Sequence, residues 1–272
     1  MSEHAQGPHT VLHQKSHQAE HFDHEITDPE FEVVRPRGAK FYSFLMHYKV
    51  GTALSLVGRD LAGARVLSVC AGSGMDAELL LQHGSKVVCL DVSSGALLRA
   101  RERAQRFGLD YALVTGDAEC LPFPEHSFDY VFVHDGLHHL TDPEGAIAEM
   151  ARVGRQGVII TEPADALLTG LLIRLGLIDR VEEAGNHVFR FHPARLTPLF
   201  RRLGLPEVRS RRYLVKYPHK PGIFFKLLDL PLIYHLAKSF FLLFGAFLFG
   251  RFGNKLAIVA LAGDASGGQG RR

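Results

Sequence analysis

The chain has 272 residues, of which 46% are hydrophobic, and 31 lysines and arginines stand against 29 aspartates and glutamates. That length builds one sizeable core more readily than two, and a net charge of +2 lacks the basic excess of a nucleic-acid binder. Cys70, Cys89 and Cys120 lie in apolar stretches without metal-ligand spacing or a secretory leader, the pattern of reduced thiols in a cytoplasmic protein.

Residues 1–30 form a polar leader carrying His4, His9, His13, His17, His21 and His24, several at the four-residue spacing of one helical face. No cysteine joins them and few apolar residues would hold such a helix, so a flexible leader without metal is expected. Residues 31–62 read as a helical lead-in, with Tyr42, Leu45, Met46 and Val50 at helical intervals after the turn Arg37-Gly38.

From 63 to 263 short β-branched runs alternate with longer amphipathic runs, the signature of strand–helix units in one domain. The expected strands are Arg65–Val69, Lys86–Leu90, Tyr111–Val114, Tyr130–Val133, Gly157–Thr161, Glu207–Val215 and Lys255–Leu261. Helices are expected at Met75–His83, Ser94–Phe107, Pro143–Val153 and Pro193–Leu203. The fold class is therefore α/β: a doubly wound, Rossmann-like sheet of seven mostly parallel strands, binding ligands at strand carboxyl ends. Two apolar inserts, 163–192 and 218–254, interrupt it, and residues 264–272 form a flexible tail.

The run Arg65 to Gly74 is a strand ending in a glycine turn that opens a helix. Glycines there bring the backbone close to a ligand and aim helix N-terminal amides at it, although a tight turn without ligand has the same composition. The next strand ends at Asp91, where an acid accepts from ribose hydroxyls in nucleotide-binding sheets. Gly72, Gly74 and Ala77 also fit a nicotinamide-dinucleotide fingerprint, which keeps an oxidoreductase as an alternative. Against it, Asp117 follows the third strand in Thr115-Gly116-Asp117-Ala118-Glu119. Two carboxylates on successive strand ends suit one adenosine better than a pyrophosphate, which they repel.

These runs closely resemble the class I S-adenosylmethionine-dependent methyltransferases, in particular the small-molecule, type 11-like branch that includes quinone-biosynthesis C-methyltransferases. The resemblance extends over Phe22 to Gly204. It implies S-adenosyl-L-methionine as donor and a donor-binding set of Cys70, Gly72, Gly74, Asp91, Val92, Asp117, Ala118 and His134. Within that set Gly72 and Gly74 line the methionine moiety, Asp91 holds the ribose, Asp117 and Ala118 hold the adenine, and His134 sits beside the amino-acid end. Ser68 stands where the family usually has an acid, and Cys70 where it has a first glycine. A non-catalytic relative keeping the fold is the alternative these departures raise.

Methyl transfer to a hydroxyl or an activated carbon needs a base, and His138 or His139 after the fourth strand is best placed for it. Glu162, His187 and His192 are weaker candidates. No Asn-Pro-Pro-Tyr or Asp-Pro-Pro-Tyr run follows the fourth strand, which favours O- or C-methylation of a small molecule. Both inserts leave the ligand-binding edge of the sheet and should roof the acceptor pocket. The second holds Phe224, Phe225, Phe240, Phe241, Phe244, Phe247 and Phe249, and Glu207 is the one acid among ten basic residues between 190 and 226. Such a zone beside apolar helices suits an anionic membrane surface, so the expectation is peripheral association at the inner face of the membrane with a lipid-linked acceptor. Burial of the same helices against the sheet is the plainer alternative.

Overall fold

The computed structural model describes Asp23, residues 28–165, 190–215, 217, 220–248 and 253–263, with backbone alone at 245–248. The remainder of the leader, most of the 163–192 insert with His187, and the 264–272 tail lie outside the described residues.

Two helices make up the lead-in. Helix α1 (Pro29–Val34) starts at Asp28, whose carboxylate accepts from Phe31 N at 2.9 Å, with proline in the first turn. Pro36 and Gly38 separate it from α2 (Lys40–Val57), which ends at Gly58 in the left-handed conformation (φ 71°). Tyr42, Leu45, Met46 and Val50 form the buried stripe of α2, as their spacing predicts, against the sheet.

The strands are β1 (Arg65–Val69), β2 (Lys86–Asp91), β3 (Tyr111–Thr115), β4 (Phe128–His134), β5 (Gly154–Pro163), β6 (Glu207–Tyr213) and β7 (Lys255–Leu261). They form one sheet in the order β3-β2-β1-β4-β5-β7-β6, parallel from β3 through β5, with β7 antiparallel to both its neighbours. Helices α3 (Met75–Gln82), α4 (Ser94–Phe107), α5 (Pro143–Val153) and α6 (Pro193–Arg202) complete the crossovers. Side chains alternate between faces: Val66 joins the apolar cluster under α2 and α3, and Leu67 and Val69 join the one under α5 and α6. Strand β5 runs longer than expected at both ends because Arg155 and Gln156 hide its start in sequence, while Gly154 already pairs with Phe128. Chain order reverses between β1 and β4, where a crevice opens at the carboxyl ends.

Between β6 and β7 the 218–254 insert forms α7 (Ile223–Leu228) and α8 (Pro231–Phe240), which runs on as π-helical turns at Phe241–Leu248. The Asp229 carboxylate caps α2 from there, accepting from Lys40 N and Phe41 N at 2.9 and 2.8 Å. Much of the pair is not buried cap: α8 contributes no buried residue, and Ile223, Phe224, Leu232, Leu236 and Phe240 are all exposed.

Candidate active site

A cavity of about 520 Å³ opens at the carboxyl ends of β1, β2 and β4. Cys70, Gly72, Asp91, Val92, Asp117, Ala118, His134, His138 and His139 all line it. Gly74 departs from the expectation. It does not line the cavity; a Cβ there would meet the Tyr111 hydroxyl at 2.6 Å, so packing under a left-handed backbone (φ 77°) demands the glycine.

Gly72 is the opposite case. It also has positive φ (53°), but a Cβ would meet nothing within 4 Å, so its missing side chain leaves room in the cavity. Cys70 manages the left-handed turn without being glycine (φ 51°), and burial pushes its thiol well up.

Asp91 ends β2 with its carboxylate oriented by the turn it faces. Its Oδ2 accepts from Gly72 N at 2.8 Å and its Oδ1 from Ser93 N at 2.9 Å. Burial raises its pKa, and those two amides oppose the shift. A carboxylate has about four acceptor sites, so two amides leave capacity for ligand hydroxyls. Asp117 closes its own turn, accepting from Glu119 N at 2.8 Å.

The end of β4 carries a second layer. His134 Nδ1 lies 2.7 Å from Asp76 Oδ1, and its buried Nε2 has no hydrogen-bond partner. Beyond it the one-turn helix Leu137–His139 sits on Glu162, a fully buried carboxylate at the end of β5. Glu162 Oε1 accepts from Gly136 N at 2.8 Å and Leu137 N at 2.7 Å, and Oε2 lies 2.6 Å from His138 Nδ1. The acid orients the imidazole and leaves Nε2 as its other nitrogen, the arrangement of a base held by a third group. The His139 ring lies 4.1 Å from that of His138. His192 is not part of this layer: it caps α6, accepting from Ala194 N at 3.1 Å.

Sequence reasoning missed the wall opposite. Asp135, in a left-handed conformation (φ 49°), takes Lys49 Nζ at 2.5 Å on Oδ2 and Lys255 Nζ at 2.8 Å on Oδ1. Burial alone would raise its pKa; the ammonium groups of Lys255 and Lys49 reverse that and hold it well below the usual range. One signal was available: Lys49 stands three residues after Met46 and four after Leu45, a charge on the buried stripe of α2. Arg103 was missed likewise. Fully buried, it donates from Nη1 to Glu78 at 2.8 Å, from Nε to Ser73 O at 2.9 Å and from Nη2 to Glu32 O at 2.9 Å, tying α1 and the glycine turn to α4. No cluster able to hold a metal occurs among the described residues.

The sequence model of the methyltransferase domain family matches residues 67–161, from β1 to the end of β5. Over these residues the chain is similar to methyltransferase domains. The chain is 41% identical over 95 residues to a demethylmenaquinone methyltransferase of Renibacterium salmoninarum, covering 35% of this chain and 38% of that one. It is 31% identical over 159 residues to a ubiquinone/menaquinone biosynthesis C-methyltransferase of Xanthomonas oryzae, covering 57% of this chain and 58% of that one. The matches thus span about two-fifths to three-fifths of these relatives' lengths. The fold extends further: magnesium protoporphyrin IX methyltransferase from Synechocystis, solved with bound SAH, superposes with a TM-score of 0.63 at 17% identity, covering 92% of this chain and all of that one.

Proposed function

We propose that the chain transfers a methyl group from S-adenosyl-L-methionine to a small, lipid-like acceptor, by O- or C-methylation, with His138 as general base. One observation carries the reading: His138, oriented by the buried Glu162, lines the same cavity as Gly72 and Asp91. The residues present fit the donor, since Gly72 leaves its Cβ space empty, Asp91 keeps acceptor capacity and the cavity-lining His134 has a buried Nε2 that makes no hydrogen bond and lies 3.5 Å from Asp135 Oδ2. When bound, the donor supplies a methyl on a sulfonium whose carbon–sulfur electron pair leaves with the sulfur. Asp91 accepts from the ribose hydroxyls, and Asp117 with Ala118 meets the adenine. His138 Nε2 takes the acceptor's proton, and Glu162 steadies the resulting imidazolium. Holding the acceptor in line supplies much of the acceleration.

The relatives' names, demethylmenaquinone and ubiquinone/menaquinone C-methyltransferases, favour a quinone-like acceptor. The exposed apolar face of α7 and α8, beside Lys220, Lys226 and Lys238, supports contact with an anionic membrane surface as the route by which such an acceptor arrives. Among the described residues no helix is long and apolar enough to cross a membrane.

Calorimetric titration separates the donor from the dinucleotide alternative. S-adenosylhomocysteine should bind and NAD should not, and Asp91→Ala should weaken S-adenosylhomocysteine by about 1.5–3 kcal/mol, the usual worth of hydrogen bonds to a charged group. Binding of NAD in preference would overturn the methyl-transfer reading; affinity within twofold in the Asp91 variant would remove Asp91 from the site.

A further inference from the structure

The basic wall of the cavity has no task in donor binding or proton removal. One carboxylate, Asp135, faces two ammonium groups, and the two lysines differ in what they have left to offer. Lys49 is fully enclosed, donates to Asp135 and to the Tyr217 hydroxyl at 2.7 Å, and lies 4.8 Å from the Tyr217 ring. Lys255 lines the cavity with its side chain 15% exposed, and Asp135 Oδ1 is its hydrogen-bond partner among the described residues. An ammonium has three donors, so this one keeps capacity toward the cavity.

The neighbouring acids are committed elsewhere. Glu162 is taken by two amides and His138, Asp76 lies against His134, and Asp135 is divided between the lysines. Lys255 is also held in place. It is the first residue of β7, paired with Tyr213 and Pro163 across the sheet. Next to it Asn254 accepts from Val215 N at 3.0 Å and donates to Val215 O at 2.9 Å, locking the end of the insert to the chain beyond β6. A fixed ammonium in a partly dry cavity is a preorganised donor for negative charge.

We propose that Lys255 binds an ionised oxygen of the methyl acceptor, which makes the acceptor a phenol or enol. The proposal rests on the methyl-transfer reading of this cavity and deepens it. His138 Nε2 removes the hydroxyl proton, and the oxyanion is paired with Lys255. Its electron pair then attacks the methyl carbon directly, forming a carbon–oxygen bond. Alternatively it is delocalised to the adjacent ring carbon, which forms a carbon–carbon bond and then gives up its own proton to water, restoring the ring as the phenolate. In both routes the carbon–sulfur bond breaks and its electrons stay with sulfur. The lysine lowers the cost of the oxyanion without itself gaining or losing a proton.

Equilibrium binding of 4-nitrophenolate and of its neutral methyl ether, 4-nitroanisole, tests this at mildly alkaline pH with saturating S-adenosylhomocysteine. The wild-type protein should prefer the phenolate by about tenfold or more, as a charge-assisted pair implies. Lys255→Met should bring the two probes to within about twofold, since the ether's affinity does not depend on the ammonium, and Lys255→Arg should restore most of the preference. Equal affinity of the two probes for the wild type overturns the proposal without need of any variant, as does an undiminished phenolate preference in a folded Lys255→Met protein. Failure of S-adenosylhomocysteine to bind strikes the methyl-transfer reading instead, and the probe comparison repeated without it still reads the lysine.

Discussion

In the proposed reaction His138 serves as base, and the group that holds its other nitrogen is a carboxylate that also carries the backbone of the turn. Glu162 Oε1 is used by two amides and Oε2 by His138, so orientation of the ring and of the loop come from one side chain. This geometry separates two adjacent histidines that the sequence leaves equivalent. At saturating donor, His138→Gln should slow the chemical step by roughly a hundredfold or more with S-adenosylhomocysteine affinity unchanged, and His139→Gln should stay within a few-fold of wild type. Full turnover in the His138 variant would confine the residue to a structural role. Glu162→Gln keeps an acceptor for the two amides but removes the charge, so turnover should fall while donor affinity is retained. Single-turnover rates and donor titrations read the two effects apart. Asp91 at the end of β2 was legible, because strand length and position suffice to find it; Glu162 was visible as a residue, but its task was not.

At the scale of elements, the insert between β6 and β7 has two faces. Phe225 is buried, and Phe241 stacks edge-on against Tyr48 at 5.0 Å and Phe44 at 5.5 Å, anchoring α7 and the π-helical turns to α2. Phe224, Leu232, Leu236 and Phe240 point away. Co-sedimentation with liposomes should therefore increase with anionic lipid, weaken with salt, and be lost when those four outward residues become serine, because the inner face is untouched and the variant keeps its fold. Equal recovery in the supernatant with and without anionic liposomes at low salt would remove the membrane from the account. Aromatic content alone did not separate these faces: Phe240 and Phe241 are neighbours in sequence and lie on opposite sides. Charge at the sheet edge has a plainer role. Strand β6 carries exposed Arg209 and Arg211, which discourage a further strand from adding there.

For the molecule as a whole, the Lys49–Asp135–Lys255 cluster joins α2, the end of β4 and the start of β7 across 86 and 120 residues of chain. Asp135→Asn leaves the enclosed Lys49 ammonium without its counter-charge, a loss on the order of 3–5 kcal/mol for a broken buried pair, measurable by urea denaturation. Because the Lys255 and Lys49 ammonium groups hold the Asp135 carboxyl well below the usual carboxylate range, its contribution is complete above that range and is lost as pH falls toward the folded pKa. The wild-type advantage over Asp135→Asn should accordingly be flat through neutral pH and shrink only in strong acid; an advantage that vanishes near neutrality would show that the pair is not ionised in the fold. The sequence by itself determined the alternation of strands and helices, the glycine turn after β1 and the acids closing β2 and β3. These depend on periodicity and on neighbours a few residues apart, which a linear chain records. Only the tertiary structure decided that Lys49 meets Asp135, that Glu162 holds His138, that Arg103 carries α1, and that Gly74 serves packing while Gly72 faces the cavity. Those pairings join residues distant in the chain, and no local spacing encodes which buried charge will find which partner once the sheet has closed the distance between them.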